Sequence, residues 1–103
     1  MNVYGSMING KEIKGANRTL LQVYNPFSSE AIGAISCATM EDITLAVETA
    51  NEAFHYKMKN MPAIERADIL RKTADLLEAR TEEFARMIVK EAGKPIRDAR
   101  IEV

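Results

Sequence analysis

The sequence predicts an α+β fold, mostly α-helical after short antiparallel strands at its N-terminus. Three observations predict it. Apolar residues alternate in brief runs broken by turn residues up to about residue 36, their spacing changes at Thr39 to the helical period of about 3.6, and proline and glycine then cut the helical part into segments.

Met7-Ile8 and Lys11-Glu12-Ile13 flank Asn9-Gly10, a pair that takes positive φ readily, so a tight hairpin is expected there. Lys14 to Arg18 is a polar connection to a second run, Thr19 to Tyr24. Asn25-Pro26 stops that run, because proline cannot donate to a ladder and restricts the residue before it. Ser28-Ser29-Glu30 makes a polar turn, and Ala31 to Ser36 alternates as the return strand.

Thr39 with Asp42 resembles a capping box in which Asp replaces the usual Glu or Gln. Ile43, Val47, Ala50 and Phe54 share one face of the helix that follows, and Glu41, Glu48 and Glu52 point elsewhere. The pattern fades after His55-Tyr56, so Lys57-Met58-Lys59-Asn60 reads as a loop. Pro62 suits the first turn of a second helix. Its expected buried stripe is Ala67, Leu70, Ala74 and Leu77, widened by Ile69 and Leu76, with an Asp68–Lys72 pair on the solvent side. Thr81-Glu82-Glu83 could cap a third helix with a stripe of Phe84, Ile88 and Val89 flanked by Met87. Gly93 and Pro95 close it. Ile96, Ala99 and Val103 open a new helical period with no stop signal, so the sequence reads as a single unit broken off inside a helix: strands and turns over 7–36, helices over 39–103, incomplete at the C-terminus.

Composition narrows the function classes. The chain carries 14 basic and 15 acidic residues, a net charge of −1, and no basic footprint of the kind nucleic acid requires. No apolar run is long enough to cross a bilayer, and the first residues lack the pattern of a secretion signal. A lone cysteine forms no internal disulfide, so the expected compartment is the cytoplasm.

The residues that could carry chemistry are few. Cys37 precedes a helix start, which can lower a thiol pKa, but it also follows an apolar strand, where cysteine is a small buried hydrophobe; the second reading is preferred. His55 is the sole histidine, with neither metal-ligand spacing nor an oriented partner, and is expected to bond the last carbonyls of its helix. Gly93-Lys94 lacks the other residues of a phosphate-binding loop. Lys57, Lys59, Arg66, Arg71 and Lys72 are interrupted by acids and read as a solvated face. No catalytic, cofactor-binding or metal residue is assigned.

The order of these elements is more specific than any one of them. Met7-Ile8-Asn9-Gly10-Lys11, Val23 through Gly33 around Asn25-Pro26, Thr39 through Phe54, Pro62 through Arg80, and Glu91-Ala92-Gly93-Lys94-Pro95 resemble, in register, the opening segments of aldehyde dehydrogenases. Ser29 departs from that pattern, which usually has glycine there. Ala92 for Thr or Ser, together with Lys59-Asn60-Met61-Pro62, is similar to the lactaldehyde-type branch.

The resemblance implies part of an α/β cofactor domain in an enzyme that oxidises aldehydes with NAD or NADP. The family's cysteine nucleophile, its glutamate and its dinucleotide-binding elements lie downstream of the matched region, so none is carried onto this chain, and Cys37 is not the nucleophile. Some members hold a monovalent cation, for which Val23, Tyr24 and Glu102 are the nearest positions here. The expectation is an inactive N-terminal scaffold segment that binds no cofactor itself. Its partner would be the remainder of the enzyme, and its exposed helix faces would self-associate without it. The alternative is a free-standing helical interaction module without enzymatic activity.

Overall fold

The computed structural model describes residues 1–15 and 17–103. They form two compact units, residues 1–23 with 31–61 and residues 24–30 with 62–103.

The first unit contains the expected hairpin. β2 (Ser6–Ile8) and β3 (Lys11–Ile13) pair antiparallel with Ile8 opposite Lys11. Asn9 and Gly10 have φ of 50° and 73°, the two left-handed positions that a two-residue turn needs. β4 (Leu20–Tyr24) and β5 (Ala31–Ser36) are neighbours in a second sheet, of order β1-β5-β4. Its remaining strand, β1 (Val3–Tyr4), runs parallel to β5 with Val3 opposite Ala34. The antiparallel expectation therefore did not extend to this strand. Two residues carry no alternation to read, and β1 exists only because distant Ala34 supplies its ladder.

α1 (Met40–Ala53) begins at the predicted cap and runs into a π-helical turn over Phe54–Met58. The predicted loop at 57–60 is thus helical through Met58. The wider turn absorbs residues that the 3.6 period does not accommodate.

In the second unit, α2 spans Ala63–Ala79, α3 Thr81–Ala92 and α4 Ile96–Glu102. Pro62 stands one place earlier than expected, as the α2 N-cap, and its carbonyl accepts from Glu65 and Arg66. Thr81 is not a cap. It is already helical, and its hydroxyl donates to the Glu78 carbonyl at 2.7 Å, tying α3 to the end of α2. Asp68 pairs with Arg71 at 2.9 Å, not with Lys72 as expected.

Gly93 closes α3 in the left-handed region at φ 69°, and Pro95 caps α4, accepting from the Ala99 N–H. α3 and α4 pack against each other, and each contributes a fully buried alanine, Ala85 and Ala99, both 0 % exposed. The predicted α3 stripe of Phe84, Ile88 and Val89 is half-buried.

The α2 stripe is the main correction. Leu70, Leu76 and Ile69 are 70, 67 and 50 % exposed, and α2 has no buried residue. Ile43 and Val47 on α1 are exposed as well. The amphipathic pattern specifies a face to be covered, and these residues alone do not cover it.

The 24–30 turn is built on Asn25. Its side-chain oxygen accepts from the Phe27 N–H at 2.9 Å and its carbonyl from the Ser29 N–H at 2.8 Å. Ser29 is held at φ 60°. A side chain in that region costs about 1–2 kcal/mol, and glycine's extra chain entropy returns roughly 0.5–1 kcal/mol of it. Ser29→Gly is therefore expected to stabilise the chain by about 0.5 kcal/mol, read as a higher urea midpoint at unchanged slope. A lower midpoint would contradict it.

Candidate functional site

The most organised polar cluster lies where β5 hands over to α1. Thr39 Oγ1 accepts from the Asp42 N–H at 3.2 Å, and Asp42 Oδ2 accepts from the Thr39 N–H at 2.9 Å, completing the reciprocal cap. The other Asp42 oxygen accepts from Arg18 Nη2 at 2.8 Å, with both side chains largely buried. The Thr39 N–H, together with the Thr39 hydroxyl and Arg18, holds the Asp42 carboxyl below the usual carboxylate range. Arg18 Nε and the Ser36 hydroxyl are buried beside no hydrogen-bond partner.

This cluster is a structural clamp. Thr39, Asp42 and the Arg18 Nη2 are committed to the helix start. Sequence reasoning found the cap but missed Arg18, which lies 24 residues from its partner. Only a closed fold could show that contact.

A carboxylate whose folded pKa is lowered stabilises the fold above its ordinary value, and that contribution disappears as pH falls through the lowered value. Glu82 behaves alike, held down chiefly by Arg100, whose Nε donates at 2.6 Å. The melting temperature is therefore expected to fall as pH drops below about 4, with a shallower acid limb in Asp42→Asn. An identical limb in that variant would refute the clamp. Thr39→Ala is expected to cost about 1 kcal/mol at neutral pH.

The other sequence-flagged residues stay apart. Cys37 is half-buried just after β5, its N–H donating to the Thr19 carbonyl at 2.8 Å. His55 lies in the π-helical turn that follows α1 and stands edge-on to the Phe54 ring at 5.3 Å. Val23 and Tyr24 end β4, while the Glu102 carboxylate is engaged by the Lys94 ammonium. A cation at Glu102 would have to displace that lysine. Among the described residues, no cluster of three or more His, Cys, Asp or Glu side chains could hold a metal ion, and no helix is long and apolar enough to cross a membrane.

Two shallow grooves of about 260 and 220 Å³ lie between the β2–β3 turn and α1. The first is lined by Met7, Ile8, Asn9, Ala46, Thr49, Ala50 and Ala53, and the Thr49 hydroxyl is already spent on the Leu45 carbonyl at 2.8 Å. The first groove holds no titratable group to act on a bound molecule. The α1 N-terminus carries the Asp42 carboxylate, and Gly5, Gly10, Gly15, Gly33 and Gly93 are scattered along the chain.

The arrangement comprises a capped helix start and a tight hairpin, with apolar residues of α1 and α2 facing outward. Residues 13–103 match the model of the aldehyde dehydrogenase family, and the chain belongs to that family. It is similar to lactaldehyde dehydrogenase of Methanocaldococcus jannaschii, 40 % identical over 96 residues, covering 93 % of this chain and 20 % of that one. Its fold resembles aldehyde dehydrogenase 21 of Physcomitrella patens, solved with the reaction product succinate, at a TM-score of 0.89 and 34 % identity, covering 98 % of this chain and 21 % of that one. It also resembles betaine aldehyde dehydrogenase of Staphylococcus aureus, solved with NAD+, at 0.89 and 26 %, covering 96 % and 20 %. The chain spans about one fifth of the length of these relatives. Its mixed α+β elements correspond to the N-terminal part of the aldehyde dehydrogenase fold, as the motif order implied.

Proposed function

We propose that this chain is the N-terminal scaffold segment of a cytoplasmic enzyme that oxidises aldehydes to carboxylic acids with NAD or NADP, and that it performs no chemistry by itself. The observation that carries the reading is the disparity in length: nearly all of this chain matches about one fifth of each enzyme relative. The exposed stripes on α1 and α2 support it, since the remainder of such an enzyme would provide the surface they lack. In its absence, the same faces would draw copies together.

In the parent enzyme the cofactor would supply the hydride acceptor. The residues present here would position the elements that bind it, through the Arg18–Asp42 clamp and the α3–α4 packing.

The 103-residue chain, mixed with lactaldehyde or succinic semialdehyde and either nicotinamide cofactor, is expected to generate no reduced cofactor and to give no binding heat with NAD. Turnover proportional to protein would overturn the reading. A chimera in which this chain replaces the matching segment of the Methanocaldococcus enzyme is expected to oxidise lactaldehyde. A folded but inactive chimera would contradict the scaffold role.

A further inference from the structure

We draw no further inference here: the strongest candidate, the groove of about 440 Å³ along α3 and α4 lined by Val89 and Ile96 with Arg86, Lys90 and Arg100, carries nothing, because Arg100 is already paired with Glu82 and nothing in the structure shows what covers the groove.

Discussion

Gly5→Ala is expected to lower the unfolding free energy by about 1–3 kcal/mol, the usual penalty for forcing extra volume into a packed site. A β-carbon on Gly5 would lie 2.3 Å from the Ile13 carbonyl oxygen and 2.7 Å from its carbon, so backbone and not a flexible side chain stands in the way. The same residue donates its N–H to Glu12 at 2.8 Å, and Lys14 reaches back to the Val3 carbonyl at 3.0 Å. Relieving the clash would spread these groups and loosen the β1–β2 corner. Urea unfolding checks the cost. Amide exchange at Gly5 and Ile13 checks the place, because both protections should fall together. An alanine variant as stable as wild type, with those amides still protected, would disprove the close approach.

The second large effect is expected at Gly93. Its φ of 69° costs a side chain about 1–2 kcal/mol. An added β-carbon would also lie 3.1 Å from Pro26 Cγ, tighter than ordinary contact. Gly93→Ala should therefore destabilise by about 2 kcal/mol. A double-mutant cycle with Pro26→Ala separates the two causes. The proline substitution should recover the steric part and leave the backbone part. Full additivity would show that the contact contributes nothing, and a neutral single variant would remove the left-handed cap.

Gly93 and Ser29 also show how a local rule can be read and yet stay incomplete. Glycine followed by a nearby proline after an apolar stripe announced the end of α3, and the left-handed cap stands there. The sequence had no means of saying that Pro26, far away along the chain, would press on that glycine. In sequence Ser29 belongs to a polar turn and stands where the family pattern usually has glycine. Its φ of 60° gives that departure a physical meaning, a strained backbone held by Asn25.

The candidate site divides in the same way. Thr39 and Asp42 are close in sequence, and their reciprocal bonds follow from helix geometry alone. Arg18, Glu82 with Arg100, and Lys94 with Glu102 are pairings of charges brought together by the fold. Many other partners were available to each of them by composition. The Asp68–Lys72 expectation failed for a related reason: Arg71 is a competing partner on the adjacent turn, and its guanidinium reaches the carboxylate first.

By itself the sequence determined the elements whose causes are local: the Asn9-Gly10 hairpin, the Thr39 cap, the breaks at Pro62, Gly93 and Pro95, and the order of motifs that marks the family. Turn, cap and period rules act over a few residues, so they survive whatever surrounds them. Only the tertiary structure decided that β1 joins β5, that Ala85 and Ala99 are fully buried, and that the α2 stripe faces outward. Burial depends on what lies opposite a face, and amphipathicity states only that something should. For α2 the sequence described an apolar stripe, and among the described residues that stripe is left exposed.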